Sequence, residues 1–223
     1  MSSLHACLPT RLLPQALLLL IAACASVAHA ATWTVDSTSA DPALNACTSA
    51  PTDCSFPGAV SRLAPSGDTI VFTVATSSAC RIQISRGVTI EAAGARLPRL
   101  VIDGNAIVEV EIRNAIFENL VSGADGGAIA IGPTHALLIQ DSQFRANRSG
   151  GSGGAIHTRA REVTIARTLF EGNYAPSSAG GIHMGIGTPQ FPSRLLIIDS
   201  VFRGNGVLDP TGPGRTLGQF GAI

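Results

Sequence analysis

One short string returns along this chain at a fixed interval. Gly-Gly-Ala-Ile occupies Gly126 to Ile129 and Gly153 to Ile156, and Gly-Gly-Ile-His occupies Gly180 to His183, so the leading glycines are 27 residues apart each time. A second unit, Phe-x-x-Asn, travels with it at Phe144 and Asn147, Phe170 and Asn173, and Phe202 and Asn205. Phe117 lies 27 residues before Phe144, with Asn119 in a shifted position. Between the two units each repeat carries an alternating apolar stretch: ALLIQDSQF from Ala136, EVTIARTLF from Glu162 and RLLIIDSVF from Arg194. Alternation with period two is a strand that buries one face. Aligning the stretches on Phe puts Leu137, Val163 and Leu195 in one column and Ile139, Ile165 and Ile197 in another; Ile129, Ile156 and Ile182 form a third. A step this short is too small for a propeller blade and lacks leucine-rich-repeat spacing. It predicts an all-β parallel β-helix, a solenoid of about 27 residues per coil whose strands pair from coil to coil.

The glycines then belong at corners, where a Cβ would clash or φ must turn positive. Phe117, Phe144, Phe170 and Phe202 are expected as an internal aromatic stack, and Asn147, Asn173 and Asn205 as a ladder that bonds the backbone of neighbouring coils. Ladders of this kind hold a solenoid together, so both are assigned a structural role. The third repeat is longer than the others, with excess Pro and Gly in GTPQFPS from Gly187 and in VLDPTGPGRTLG from Val207. These read as loops thrown out from the coil.

The first thirty residues form a separate unit. Arg11 closes a short polar region, Leu12 to Ala23 is apolar, and Ala28-His29-Ala30 is a small-x-small cleavage site, which predicts a signal peptide over 1–30 cut before Ala31. A competing site, Ile21-Ala22-Ala23-Cys24, resembles a bacterial lipobox, in which Cys24 would be lipidated. Either route exports the chain. Cleavage before Ala31 leaves Cys47, Cys54 and Cys80: Cys47 and Cys54 flank the Pro-containing loop CTSAPTDC and are the expected disulfide, with Cys80 left over. The 223 residues carry a formal net charge of +0, the basic side chains are all Arg, and none of them cluster. No nucleic-acid partner is expected.

A solenoid exposes its core at each end unless something covers it. Residues 31–66 are the natural N-terminal cap: TWTVDST from Thr32 reads as a strand, and FPGAVSRLA from Phe56 as a short amphipathic helix. The wall then begins at Gly67 with GDTIVFTV and runs over 67–223. Because the chain halts at Ile223 as another Gly-Ala-Ile begins, the wall is expected to be truncated, a piece of a longer surface protein.

The paired Gly-Gly-Ala-Ile and Phe-x-x-Asn units, over roughly Phe117 to Ile223, resemble the repeats of chlamydial polymorphic outer-membrane proteins and related bacterial β-helix proteins. The stretch CSFPGAV followed by GDTIVF is similar to the CSLREA-type N-terminal domain that often precedes such helices. Cys54, Ser55, Ala59, Gly67, Asp68, Thr69, Ile70 and Phe72 match that pattern, while Phe56, Pro57 and Gly58 replace its Leu-Arg-Glu. The resemblance implies a right-handed helix, export to the cell surface or outer membrane, and in some members adhesion or autotransport; the autotransporter barrel of such proteins has no counterpart here.

Parallel β-helices also host pectin lyases and polygalacturonases, whose chemistry needs clustered carboxylates, with Ca²⁺ and a base for lyases or paired acids for hydrolases. The nearest approach is the column Asn114, Asp141, Arg167, Asp199, which reads more simply as a charge-compensated row near a strand end. His157 and His183 share a column without an evident third ligand, and the plainer reading is a pair of surface histidines in register. No nucleophile elbow, zincin helix or phosphate loop is present. The expectation is therefore a non-enzymatic scaffold or adhesin-like module with no cofactor and no metal, binding a host or surface polysaccharide or a protein. Membrane association would come only through lipid at Cys24 or an anchoring region beyond the chain. The alternative is a degenerate or partial pectin-lyase-like carbohydrate-active enzyme.

Overall fold

The computed structural model of the chain describes residues 30–64, 67–77, 79–185 and 192–207. The expected leader up to His29, with Cys7 and Cys24, lies outside the described residues, as do Gly187 to Phe191, all of the second insertion after Val207, and the final Phe220 to Ile223.

In chain order the elements begin with β1 (Thr32–Val35), α1 (Phe56–Arg62), β2 (Asp68–Phe72), β3 (Arg81–Ile84), β4 (Val88–Glu91), β5 (Arg99–Ile102) and β6 (Glu109–Arg113). They continue with β7 (Ile116–Glu118), β8 (Val121–Ser122), β9 (Ile129–Ile131), β10 (Ala136–Gln140), β11 (Gln143–Arg145) and β12 (Arg148–Ser149). The last are β13 (Ile156–Thr158), β14 (Glu162–Ala166), β15 (Leu169–Glu171), β16 (Ile182–Met184), β17 (Arg194–Ile198) and β18 (Val201–Arg203). The fold is all-β, with parallel sheets that close no barrel. One sheet has seven strands in the order β1-β2-β4-β6-β10-β14-β17, a second has five, β16-β13-β9-β5-β3, a third four, β18-β15-β11-β7, and a fourth two, β12-β8.

Each strand pairs in parallel with its counterpart in the next repeat, so like residues stack on like. Leu137 faces Val163, which faces Leu195, and Ile139, Ile165 and Ile197 follow two residues on. Inward positions are fully buried: Ile90, Ile112, Ile139 and Ile165 are all 0 % exposed. The seven-stranded sheet takes in β1 as its edge strand, with Thr32 opposite Thr69, so the N-terminal segment is continuous with the sheet that follows. Helix α1 starts at Ser55, whose hydroxyl accepts the Gly58 N–H at 3.0 Å, an N-cap that satisfies one of the free amides of the first turn. Phe56 is buried and meets Phe72 edge to face at 5.0 Å. Gly58 has no room for a side chain, because a Cβ would lie 1.9 Å from the Leu44 carbonyl oxygen. The loop before the helix therefore packs directly onto it.

The glycine corners obey two different constraints. Gly126 and Gly153 sit at φ 69°, the left-handed region. A Cβ on Gly127 would lie 2.0 Å from the oxygen of Gly154, and one on Gly154 2.3 Å from that of Gly180. The second glycine is thus required by close approach of the next repeat's backbone. In the third repeat Ile182 faces Ile156, a step of 26 residues, so the left-handed position falls on Ala179 (φ 47°) and Gly180 is the partner of Gly154. The 27-residue spacing of the strings overshoots the true register there by one.

Candidate functional site

Most polar side chains that the sequence singles out are committed to stacking. Phe117, Phe144, Phe170 and Phe202 lie face on face with ring centroids 4.7, 4.8 and 4.6 Å apart and planes within 10°. The asparagines run beside them. Asn147 Nδ2 donates to the Phe117 carbonyl at 3.0 Å and to Asn173 Oδ1 at 2.9 Å. Asn173 Nδ2 repeats the pattern to Phe144 O at 2.9 Å and Asn205 Oδ1 at 2.8 Å, and Asn205 Nδ2 reaches Phe170 O at 3.0 Å. Leu120 takes the equivalent position one repeat earlier: its N–H donates to Asn147 Oδ1 at 3.1 Å, while Asn119 turns left-handed at φ 57°. Cys47 and Cys54 are joined by a disulfide with Cα atoms 4.4 Å apart, and Cys80 is exposed with a free thiol.

The row Asn114, Asp141, Arg167, Asp199 shares one backbone state, φ 53°, 50°, 48° and 48°, at the corner after each long strand. Arg167 grips Asp141 with two bonds of 2.7 Å. The guanidinium fork holds the Asp141 carboxyl below the usual carboxylate range. A general acid needs the opposite shift. Immediately after this row comes one the sequence reading missed. Ser142, Thr168 and Ser200 each donate back two residues, to Gln140 O, Ala166 O and Ile198 O, and Ser142 and Ser200 accept the N–H of Ala115 and Thr168. Its signal was a hydroxyl residue two places before Phe144, Phe170 and Phe202, where Phe117 has Ala115. A third row, Glu118, Arg145, Glu171, Arg203, alternates charge on the four-stranded sheet: Glu171 pairs with Arg203 at 2.7 Å and with Arg145 at 3.7 Å, and Glu118 pairs at 3.0 Å with Arg96, which lies outside that sheet.

Of the two histidines in register, His183 is half-buried and His157 is not a surface group. His157 is 8 % exposed, its ring stacked on that of His183 at 5.1 Å, with Asp125 Oδ2 3.7 Å from its Nε2. Burial pushes its pKa down against the pull of Asp125, helped by His183 and Arg159. A more deeply buried histidine, His135, accepts the Val108 N–H at Nδ1 (3.1 Å), and burial outweighs nearby Asp103 in lowering its pKa. Among the described residues no group of three His, Cys, Asp or Glu side chains is arranged to hold a metal ion.

What remains is a groove of about 700 Å³ along the outer face of the seven-stranded sheet. The outward positions Thr89, Glu111, Leu138 and Thr164 lie in one row across four strands. Glu109 and Glu162 rim it, and Ile107 stands 58 % exposed at its mouth. Arg161 reaches over Ala136 to Glu109 (2.5 Å), and Arg113 pairs with Glu111 at 2.7 Å. The arrangement offers carboxylate acceptors, hydroxyls and an apolar plate in an open trough. Compared with known proteins, the chain matches no family model, no curated protein and no solved structure.

Proposed function

We propose that this chain is an exported module of a bacterial cell surface, a right-handed parallel β-helix with an N-terminal cap, that binds a polysaccharide through one long face and performs no reaction on it. Like-on-like stacking in separate parallel sheets supports the helical architecture. The export-type leader and the likeness of its repeats to polymorphic outer-membrane proteins support the surface location.

The observation that carries the binding reading is the groove. Sugar rings present apolar faces and a fringe of hydroxyl donors, which suit Leu138 and Ile107 as a plate and Glu111 and Glu162 as acceptors. Glu109, Glu111 and Glu162 against Arg161 and the Arg113 that pairs with Glu111 leave the trough with one excess negative charge, which disfavours a polyuronide and favours a neutral chain. Affinity electrophoresis of the purified protein through gels cast with neutral polysaccharides or with polygalacturonate tests this. Retardation by a neutral polymer, weakened at least about tenfold by E111Q/E162Q, is the expected result, since each charge-assisted hydrogen bond contributes roughly 1.5–3 kcal/mol. Cleavage of polygalacturonate with or without Ca²⁺, abolished by Asp141→Ala, would overturn it in favour of the enzymatic alternative.

A further inference from the structure

Asp68 is the one carboxylate among the described residues that is 0 % exposed, and it sits where the chain emerges from its leader. Its Oδ1 accepts the backbone N–H of Ala31 at 2.8 Å; its Oδ2 accepts the Trp33 indole at 3.0 Å and the Ala64 N–H at 2.8 Å. All three donors are neutral in an uncut chain. Ala31 is held from its other side too, since its carbonyl accepts the Thr69 N–H at 2.8 Å. Ala30, one residue earlier, is exposed. Among the described residues, the first whose backbone is hydrogen-bonded into the fold, Ala31, is therefore also the first after the Ala-His-Ala cleavage motif.

We infer that Asp68 is the receptor for a new N-terminus: cleavage between Ala30 and Ala31 releases an α-ammonium group at the atom already bonded to Asp68, and the resulting ion pair locks β1 onto β2. The inference rests on the reading of the chain as exported. Chemically the step is a hydrolysis. Water adds across the Ala30–Ala31 amide, the hydroxyl going to the Ala30 carbonyl carbon and a proton to the Ala31 nitrogen, which takes up a second proton from solvent. No backbone movement is needed, because the nitrogen is already within hydrogen-bonding distance of the carboxylate. A charge-assisted bond then replaces a neutral one at a buried carboxylate.

The surroundings suit that charge. Burial pushes Asp68 up, but the Ala64, Ala31 and Trp33 donors together with the Arg86 charge outweigh it and hold the carboxyl below the usual range. Arg62 lies over the Trp33 ring at 4.8 Å, and Arg86 donates to the Leu63 carbonyl rather than to Asp68. An α-amino group, ordinarily near 7.7–8.0, is raised by such a partner. Its contribution is complete below about pH 7.7 and disappears as pH rises through the raised value.

The test compares purified chains that begin at Ala31 with a free amine, the same chain acetylated at that amine, and both with Asp68→Asn. At pH 7 the free-amine chain should melt roughly 3–10 °C above the acetylated one. The gap should close above about pH 10 and be absent in the Asp68→Asn pair. Equal melting of the first two chains at pH 7, or a gap that survives Asp68→Asn, overturns the inference. Should Asp68→Asn not fold, the pH dependence of reductive methylation at the wild-type α-amine decides instead: a raised midpoint supports the pair, and an ordinary one removes it. In a bacterial host the full chain should yield a mature N-terminus of Ala-Thr-Trp-Thr. A start at Cys24 overturns the processing step while leaving surface binding intact, whereas failure to be exported overturns the proposed location and leaves the melting comparison to judge the ion pair.

Discussion

Replacing Asn173 with alanine isolates what the asparagine ladder contributes. The side chain makes four bonds: Nδ2 to Phe144 O and to Asn205 Oδ1, and Oδ1 from the N–H and the Nδ2 of Asn147. After truncation two losses are absorbed locally. Asn147 Nδ2 keeps Phe117 O at 3.0 Å, and Asn205 Oδ1 keeps the Asn173 N–H at 3.0 Å. The other two groups, the Asn147 N–H and the Phe144 carbonyl, lose these partners where both residues are 0 % exposed. At about 1–3 kcal/mol for each buried polar group left unpaired, Asn173→Ala should cost about 2–6 kcal/mol. That is a large share of the 5–15 kcal/mol typical of a folded domain. Urea unfolding followed by far-UV circular dichroism at pH 7 measures it, with Asn205→Ala as the internal comparison. Asn205 is only half-buried, so water can replace its bonds, and its loss should be less than half as large. A cost below about 1 kcal/mol for Asn173→Ala, or an equal cost at Asn205, would show that backbone stacking alone sets the ladder and refute the reasoning.

Two glycines separate crowding from backbone strain: Gly154→Ala drives a Cβ to 2.3 Å from Gly180 O and should abolish or severely weaken folding, whereas Gly172→Ala, at φ 65° with nothing within 4 Å, should lower the unfolding free energy from urea titration only by the roughly 1–2 kcal/mol of a left-handed alanine. Reducing the Cys47–Cys54 bridge, which spans 7 residues, should cost roughly 2.5 kcal/mol of unfolding free energy on the loop-entropy estimate, read as a lower melting temperature in reductant; an unchanged melt would argue against the estimate. His135 and His157 both titrate below the ordinary histidine value when folded, so the native state binds fewer protons than the unfolded one. Stability should therefore be full above about pH 6.5 and fall as pH drops from there toward the depressed folded values; melting temperatures flat between pH 7.5 and 5 would contradict the burial of both rings.

Much of the architecture was legible because it follows a one-dimensional rule. When each strand pairs with its own copy one repeat later, the columns Leu137, Val163, Leu195 and Ile139, Ile165, Ile197 are readable by aligning the string with itself. The phenylalanine and asparagine rows follow by the same alignment. Where the repeat shortens by one residue, the glycine string misleads: Ala179 rather than Gly180 takes the left-handed turn, because register is fixed by the Ile156 to Ile182 pairing. His157 was misjudged for a related reason. Outward direction on a strand does not mean exposure, and the acid that covers His157 comes from Asp125, two residues before Ile129's glycine pair is complete.

The groove had no sequence signal of its own, and Asp68 stood out only as one match to the CSLREA-type pattern, with nothing to name its partners. Glu109 and Arg161 meet across an intervening repeat, and Ala31, Trp33 and Ala64 converge on Asp68 from separate segments. Sequence by itself determined the period, the strand faces and which residues stack, since those depend only on spacing along the chain. Tertiary structure alone decided which polar groups lose water and which find a partner, because burial and hydrogen bonding depend on distances between segments that no repeat relates.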